Sequence, residues 1–442
     1  VHAGSSWDIW EADVRQKERA ESSKALKDQE KCLRQQWAEE LWHRARECGV
    51  ARFLPAVDAA LPAKVTIGAV VGQLRLEGIL GRGGFGTVCL AHNTETCDAE
   101  AVKLFPKRQH GSLDKVLSVA AEVEAMRQLR HKNVVELLGV LHSKRHVMVR
   151  MQYAGPATLL KILGRSDHHR LPLARARGLY AQLVDGIAYC HSRGVAHCDL
   201  KPENLGLSAE GEHLKVLDFG SAAKVDAVVG APRGTMPFMA PEVILACHGR
   251  GYAPAPSDVW AMGVVLLEMA AGVGSVNQLM GWPLNVEVCP RSAENALSVL
   301  SGGAGPIRNL VHRYCGPPPL ELSGLLDASF ALKPGARPSA ARLAMMPWVS
   351  RPTQPKSEGA IRAPPRAALA HASASSSREA TQHLSVESAR AAPHRSADSV
   401  APIPRPEGRG PRPSSRLMQH RANFLQDLLF AAPAASSDQP AP

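Results

Sequence analysis

The sequence predicts an α+β fold for the middle of the chain, and three observations lead to this prediction. From residue 74 to residue 349, strand-like apolar runs alternate with helix-like periodicities, and no low-complexity sequence interrupts them. A glycine-rich stretch at 81–88 is followed by a second strand-like run, so it joins two antiparallel strands. Of the 442 residues 45% are hydrophobic, which is ordinary for a globular chain.

Composition divides the chain into three parts. Residues 1–62 form a charged N-terminal extension that is predicted to be helical, 74–349 form the globular region, and 350–442 form a tail rich in Pro, Ala, Ser and Arg. Such a tail cannot bury enough apolar surface to offset the entropy of ordering, so it is predicted to be disordered. Within it, the stretch 424–430 is apolar enough to fold on binding.

The N-terminal extension reads as one helix. Residues 11–48 contain no Gly or Pro and are dense in Glu, Lys, Arg and Gln. Leu26, Leu33, Trp37 and Leu41 recur at seven- and four-residue steps, which predicts a single apolar face. The preferred interpretation is that this helix packs on the chain's own domain. A helix that docks on a regulatory partner or on a membrane is the alternative, and it gains weight from the tryptophans Trp7, Trp10, Trp37 and Trp42.

Charge and cysteine content exclude several classes of protein. No run approaches the ~20 apolar residues that span a bilayer, so integral membrane association is not expected. The 9 scattered cysteines include no C-x-x-C pair, which argues against a disulfide framework or a zinc module and favours a reducing compartment, the cytoplasm or the nucleus. The net charge of +11 invites a nucleic-acid interpretation, but the basic tail has no interleaved aromatics, so a solvated tail is favoured.

The glycine-rich stretch carries the first chemical signal. Glycines at positions 81, 83 and 86 let backbone amides approach phosphate oxygens without obstruction by a Cβ atom. A dinucleotide-binding fold shows the same spacing but continues into a helix. Here the following residues, 87–91, continue as a strand, so the dinucleotide interpretation is disfavoured.

A lysine within an apolar strand is the second signal. Lys103 lies in the run Ala-Val-Lys-Leu, and an inward-facing ammonium requires an anion. The helical stretch 115–130 offers Glu122, whereas Glu124 points about 200° away on the same helix. Glu122 is therefore the predicted partner. A surface lysine on an edge strand is the alternative for Lys103 taken alone.

The third signal is a cluster of polar residues in two successive turns. Asp199, Lys201 and Asn204 lie within six residues, and Asp218 follows in the next turn. Phosphoryl transfer needs one carboxylate to orient a hydroxyl, one ammonium to screen the phosphate and oxygen ligands for Mg²⁺. These residues supply all of those groups.

Taken in order, these motifs resemble the eukaryotic protein kinases, of the serine/threonine type. The motifs follow one another in the order that is typical of the family. They are the glycine-rich stretch, the strand lysine, His-Cys-Asp-Leu-Lys-Pro-Glu-Asn at 197–204, Asp-Phe-Gly at 218–220 and Ala-Pro-Glu at 240–242. The resemblance covers 74–349. It implies a two-lobed kinase fold, with a small antiparallel sheet plus one helix and a larger, mainly helical lobe.

The resemblance also implies residue roles. Asp199 matches the catalytic base and Lys201 the γ-phosphate lysine, while Asn204 and Asp218 match the Mg²⁺ ligands. The expected substrates are ATP and the Ser or Thr hydroxyls of proteins. The positions that match the family's ATP site, with Met151 as gatekeeper and Gln152 and Ala154 in the hinge, are Leu80, Gly81, Arg82, Gly83, Gly84, Phe85, Gly86, Val88, Ala101, Lys103, Glu122, Met151, Gln152 and Ala154.

Two departures from the family pattern stand out. Gly206 replaces the usual large apolar residue under the adenine, which predicts a roomier floor. Cys198 replaces the Arg that commonly pairs with a phosphate on the activation segment, the stretch from 218 to 242. Control by phosphorylation of that segment is therefore not expected, unless Lys224 or Arg233 substitutes for the missing Arg.

Two other functions are compatible with parts of the sequence. A pseudokinase or scaffold would use the fold only to present docking surfaces, but it would need none of Lys103, Asp199, Asn204 and Asp218. A nucleic-acid-binding protein would use the basic tail, and its binding would depend strongly on salt.

Overall fold

The computed structural model describes the backbone of residues 6–62, 64–83, 86–246, 249, 251–283 and 288–350. The predicted tail, with its apolar stretch 424–430, lies outside the described residues except for Ser350. Gly84 and Phe85 of the glycine-rich stretch also lie outside them. No helix in the described part of the chain has the length and hydropathy needed to cross a membrane.

The N-terminal extension contains one long helix, α1 (Ser6–Glu47), as predicted. The helix packs on its own domain, but through a face other than the predicted one. Leu26, Leu33 and Trp37 are 65%, 58% and 60% exposed, and Leu41 is only partly buried. The prediction for this face is therefore wrong.

The buried face of α1 is formed by Ala38, Trp42 and Ala45, which follow one another at four- and three-residue steps. Trp42 lies about 140° around the helix from Trp37, so a helix that buries Trp42 turns Trp37 to solvent. Two of the three buried residues are alanines, which add little to a hydrophobicity pattern. This explains why the sequence favoured the wrong face.

A small lobe follows α1. Its elements are β1 (Val70–Val71), β2 (Leu74–Gly83), β3 (Gly86–Asn93), β4 (Ala99–Pro106), α2 (Leu113–Arg127), β5 (Leu137–His142) and β6 (His146–Gln152). The six strands are ordered β1-β2-β3-β4-β6-β5, and all neighbouring pairs are antiparallel. The glycine-rich stretch joins β2 to β3, so the predicted hairpin is confirmed.

Both faces of this sheet are covered. Along β4, Ala101 and Phe105 belong to the core that includes α2, whereas Val102 and Leu104 belong to a second core on the opposite face. This alternation is the period of two of a β-strand. It places Lys103, which lies between Val102 and Leu104, on the α2 side of the sheet.

The second lobe is mainly helical. Its helices are α3 (Leu159–Arg165), α4 (Leu173–Ser192), α5 (Pro241–Leu245), α6 (Pro254–Ala271), α7 (Ser275–Met280), α8 (Pro290–Leu300), α9 (Gly305–Cys315), α10 (Leu320–Ser329), α11 (Ala340–Met345) and α12 (Pro347–Ser350), with 3₁₀ turns at Asp167–His169, Pro202–Asn204 and Pro334–Ala336. Its short strands are β7 (Ala157–Thr158), β8 (Val195–Ala196), β9 (Leu205–Leu207), β10 (Leu214–Val216) and β11 (Ala223–Lys224). Together the two lobes confirm the predicted α+β architecture.

Helix α6 is the centre of the second lobe. Every residue from 257 to 271 is buried, as expected for a helix that is apolar on all sides. An ion pair closes one side of this region: Arg337 Nη1 and Nη2 donate to the two carboxylate oxygens of Glu242, at 2.5 and 2.9 Å. The Arg337 guanidinium also lies 5.0 Å from the Trp260 ring centroid. These contacts attach α5 and the chain near Arg337 to α6.

Glu268, near the end of α6, makes folding stability depend on pH. Burial raises the pKa of its carboxyl to about 7, and the backbone N–H of Gly274 donates to Oε1 of that carboxyl at 3.2 Å. Because the folded-state pKa lies above the unfolded value, stability is lost as the pH rises from about 4.5 through about 7. Replacing the carboxyl by an amide removes this loss.

We therefore expect Glu268→Gln to raise the free energy of unfolding, relative to the wild type, more at about pH 8 than at about pH 5.5. The difference between the two pH values should be on the order of 2 kcal/mol. The measurement is chemical unfolding of the wild type and the variant at both pH values. The exposed Glu294, changed to Gln, is the control and should show no such difference between the two pH values. An equal effect of Glu268→Gln at both pH values would contradict the expectation.

Candidate active site

The loop after β8 is held by one buried carboxylate. Asp258, near the start of α6, is 1% exposed and accepts hydrogen bonds from the backbone N–H groups of His197 and Cys198, both at 2.8 Å. The Nε2 atom of His191, at the end of α4, lies 2.8 Å from the same carboxylate. Charge-assisted hydrogen bonds are stronger than neutral ones. Here they stabilise a left-handed backbone at Cys198, whose φ is 63°.

Asp199, Lys201, Asn204 and Thr235 form one hydrogen-bonded group. Lys201 Nζ donates to Asp199 Oδ2 at 2.9 Å and to Thr235 Oγ1 at 2.7 Å. Thr235 Oγ1 donates to Asp199 Oδ1 at 2.8 Å, and Asn204 Nδ2 donates to the backbone carbonyl of Asp199 at 2.8 Å. A carboxylate oriented in this way can accept a proton from a hydroxyl while the adjacent ammonium screens negative charge.

A second group joins the two lobes. Lys103 Nζ, on β4, lies 2.5 Å from Glu122 Oε1 on α2 and 2.8 Å from Asp218 Oδ1 in the second lobe. The predicted pairing of Lys103 with Glu122 is thus present, whereas Glu124 is exposed. The site therefore has a fixed cation at its small-lobe side.

The electrostatics of this second group favour the charged forms of Lys103 and Asp218, whereas burial raises the pKa of the Glu122 carboxyl. Burial alone would lower the pKa of Lys103, but the carboxylates of Glu122 and Asp218 outweigh it and raise that pKa. Burial also opposes ionisation of Asp218, yet the Lys103 charge and the hydrogen bond from Lys103 hold the pKa of that carboxyl below its ordinary value. Asp218 is therefore available as a carboxylate ligand at neutral pH.

Asn204 and Asp218 fit the donor set that Mg²⁺ prefers. Asn204 uses Nδ2 as a donor to Asp199, which leaves its amide oxygen for a cation. Lys103 binds Oδ1 of Asp218, and among the described residues no donor contacts Oδ2. Mg²⁺ is commonly bound by one or two protein oxygens together with substrate phosphates and water. No cluster of three or more His, Cys, Asp or Glu side chains suited to a metal occurs in the described part of the chain.

Most of the predicted nucleotide-binding residues that the structure describes lie on the strands around Lys103. Val88 lies opposite Lys103 in the β3–β4 pair, and Ala101 lies opposite Met151 in the β4–β6 pair. Of the remaining predicted positions, the structure places Leu80, Gly81, Arg82 and Gly83 on β2, Gly86 on β3 and Gln152 at the end of β6.

Gly86 requires glycine. Its φ is 133°, and a Cβ atom there would lie 2.5 Å from the carbonyl oxygen of Leu104. The hinge is also constrained: the Gln152 N–H donates to the Glu136 carbonyl at 2.9 Å, so it is not available to a ligand. A nucleotide would have to use other backbone groups of the hinge, such as those of Ala154.

The floor beneath the hinge is not roomy, so the prediction from Gly206 is wrong. A Cβ atom at Gly206 would lie 2.7 Å from the Cβ of Ala154 and 3.1 Å from Cδ1 of Leu217. Gly155 adopts a φ of 130°, and a Cβ there would lie 2.0 Å from the carbonyl oxygen of Leu207. The space that a larger side chain would occupy is taken by the hinge and by Leu217.

The activation segment contains its own guanidinium clamp. Arg233 Nη1 donates to the carbonyl oxygens of Ser221 at 3.1 Å and Ala222 at 2.7 Å, which ties the late part of the segment to its beginning. Cys198 contributes no charge, since burial raises the pKa of its thiol. Lys224, the other predicted substitute, is exposed.

Sequence reasoning missed two features of the site. The approach of the hinge to β9 depends on Gly155, which carries no recognisable motif in the sequence. The second feature is Trp42, which lies on the buried face of α1 and outside the apolar face that the sequence predicts. The Ala38–Trp42–Ala45 spacing is a weak signal that could have identified it.

Comparisons with known proteins agree with this geometry. The family model described as "Protein kinase domain" matches residues 74–349. CBL-interacting protein kinase 30 of Oryza sativa subsp. japonica is 38% identical over 214 residues, which is 47% of this chain and 44% of the relative. CBL-interacting protein kinase 4 of the same organism is 36% identical over 257 residues, 57% of this chain and 55% of the relative.

A relative from a second plant extends the set. CBL-interacting serine/threonine-protein kinase 18 of Arabidopsis thaliana is 36% identical over 208 residues, 46% of this chain and 39% of the relative. This chain spans about half the length of the curated relatives it matches. The family match extends over more than half of the 442 residues, and the chain therefore belongs to the protein kinase family.

Proposed function

We propose that this chain is an ATP-dependent serine/threonine protein kinase. The observation that carries the proposal is the simultaneous presence of two assembled groups: Asp199 with Lys201 and Thr235, and Lys103 with Glu122 and Asp218. One is suited to activating a hydroxyl and the other to holding phosphates and a metal.

The proposed reaction is a single phosphoryl transfer. Asp199 orients the substrate hydroxyl and takes up its proton, the hydroxyl oxygen bonds to the γ-phosphorus, and the bond from that phosphorus to the β–γ bridging oxygen breaks to leave ADP. Lys201 lies 2.9 Å from Asp199 and screens the charge of the transferring group. Lys103 holds the α- and β-phosphates. Bound Mg²⁺ would be held by Asn204 and Asp218 and would neutralise charge on the phosphates.

The serine/threonine assignment rests on two arguments. Lys201 and Thr235 are in direct contact at 2.7 Å, and this pair matches the serine/threonine class of the family. The Arabidopsis relative is itself named a serine/threonine-protein kinase. The expected partners are therefore proteins that carry Ser or Thr acceptors.

The scaffold alternative gains no support from the site. Charged groups are costly to bury unless they are paired. A scaffold does not need an ammonium between two carboxylates and would gain nothing from that cost. The nucleic-acid alternative concerns the tail, which lies outside the described residues. A regulatory partner at α1 stays part of the proposal, since Leu26, Leu33 and Trp37 are exposed.

The catalytic roles predict the behaviour of two isosteric variants. Asp199→Asn removes the proton acceptor and Asp218→Asn removes the anionic metal ligand, so each should lower the rate of transfer by about 100-fold or more. Because both residues serve one assembled site, the double variant should be far less impaired than the product of the single effects. The measurement is incorporation of radiolabelled phosphate from ATP into an arrayed peptide library.

Asp98→Asn, at an exposed position in the loop between β3 and β4, is the matched control and should keep wild-type activity. Binding of ATP should survive Asp199→Asn, which separates a catalytic defect from unfolding. Transfer activity that persists in both Asp199→Asn and Asp218→Asn would contradict the assignment.

Regulation gives a further prediction. Because Arg233 binds carbonyl oxygens rather than a phosphate, the activation segment should be ordered without phosphorylation. Protein made in bacteria should be active, and phosphatase treatment should leave its rate about the same. Arg233→Gln should lower the rate by on the order of tenfold, given the usual strength of hydrogen bonds to charged groups. Lys224→Gln, at an exposed basic residue of the same segment, should not.

One result would contradict this prediction about regulation. If phosphatase abolishes activity and mass spectrometry places the lost phosphate between residues 221 and 235, the segment is switched by phosphorylation. The clamp formed by Arg233 would then not be sufficient to order it.

A further inference from the structure

Helix α1 lies outside the residues that match the kinase family, yet it contacts α2, which carries Glu122. The contact is close: a Cβ atom on Gly111, just before α2, would lie 3.1 Å from the Cβ of Ala38. Ala38 and Trp42 are one helical turn apart on the buried face of α1. An element foreign to the family domain thus packs at the start of the helix that completes the active site.

Trp42 is the largest fully buried side chain among the described side chains of α1. It is 0% exposed and belongs to the same contiguous core as Val116, Val119 and Val123 of α2. Around α2, these three valines lie about 60–120° from Glu122. The helix is therefore supported on one flank by the core that contains Trp42, while Glu122 reaches Lys103 from the adjoining arc.

This packing has a consequence for the Lys103–Glu122 contact. The distance between Lys103 Nζ and Glu122 Oε1 is 2.5 Å, and both side chains are almost fully buried. A small displacement of α2 would break this contact, since a hydrogen bond weakens steeply beyond about 3.2 Å. Removing a large side chain from a close-packed core leaves a cavity into which neighbouring elements shift.

We propose that Trp42 is a positioning residue for phosphoryl transfer: through α2 it keeps Glu122 on Lys103. This inference rests on the proposed kinase function and deepens it. On this account α1 is a built-in activating element of the chain. A purely structural Trp42 would contribute stability without any specific link to Glu122.

The environment of the Trp42 side chain makes Trp42→Phe a suitable conservative variant. Its indole Nε1 has no hydrogen-bond partner among the described residues. Phenylalanine keeps an aromatic ring in the same core and removes a buried donor that lacks a partner, so Trp42→Phe should retain the positioning effect. Trp37, exposed on the same helix, gives the matched control for Trp42→Ala.

The test is a double-mutant cycle in the full chain. Rates and KM for ATP are measured for the wild type, Trp42→Ala, Trp42→Phe, Trp37→Ala, Glu122→Gln and the Trp42→Ala/Glu122→Gln double variant, well below each thermal midpoint. We expect Trp42→Ala to lower kcat/KM for ATP by about tenfold or more, while Trp42→Phe and Trp37→Ala stay within about threefold of the wild type.

The decisive measurement is the cycle itself. In the Glu122→Gln background, Trp42→Ala should change kcat/KM by less than about twofold, because the contact it supports is already lost. If the two effects multiply, Trp42 acts independently of Glu122 and the inference is wrong. Full activity of a folded Trp42→Ala protein would also overturn it.

Two further provisions complete the test. If Trp42→Ala does not fold, Trp42→Leu takes its place in the cycle. Hydrogen exchange of residues 113–127 should be faster in the Trp42 variant than in Trp37→Ala, a readout that does not depend on activity. An inactive wild type defeats the proposed function, whereas an active wild type with a multiplicative cycle and unchanged exchange defeats only the role of Trp42.

Discussion

The active site depends first on the carboxylate of Asp258. A buried charge is tolerated only when it is compensated, and here two backbone N–H groups of the loop and the His191 ring provide that compensation. Asp258 is anchored in α6, whose side chains are buried along most of its length. The loop that carries Asp199, Lys201 and Asn204 is therefore attached to a helix that is almost fully buried. The hydrogen bonds also stabilise the unusual backbone at Cys198, which starts the turn toward Asp199.

A second constraint lies between the lobes, where Lys103 bridges Glu122 and Asp218. The residues it joins are far apart in sequence, 115 positions in the case of Asp218. The ammonium of Lys103 pairs with both carboxylates, so its loss would leave the buried Glu122 and the partly exposed Asp218 close together without a cation between them. The small lobe contributes the cation, and the second lobe contributes the carboxylate that can face a metal. Any movement of α2 therefore acts on both lobes.

Local patterns predicted the elements and the residues of the site, but not the contacts among distant surfaces. The choice of Glu122 over Glu124 followed from helix geometry alone, and the hairpin at the glycine-rich stretch followed from the strand after it. The buried face of α1 was not predictable in the same way, because two alanines and one tryptophan make a weaker pattern than Leu26, Leu33 and Trp37. The floor beneath the hinge was misjudged because the missing side chain at Gly206 is replaced by Ala154 and Leu217, which are neighbours only in the folded chain.

Arg233 ties the activation segment together through contacts that do not involve a phosphate. Where a guanidinium binds a phosphate, adding or removing that phosphate alters the local charge by about two units. The acceptors here are the backbone carbonyls of Ser221 and Ala222, which carry no removable charge. The thiol of Cys198 is buried and neutral, so it does not compete for the guanidinium. On the function proposed above, the segment is held by groups that are always present, and control acts elsewhere. Helix α1 is the element that we propose for this role, because it contacts α2 on one side and leaves an apolar face exposed on the other.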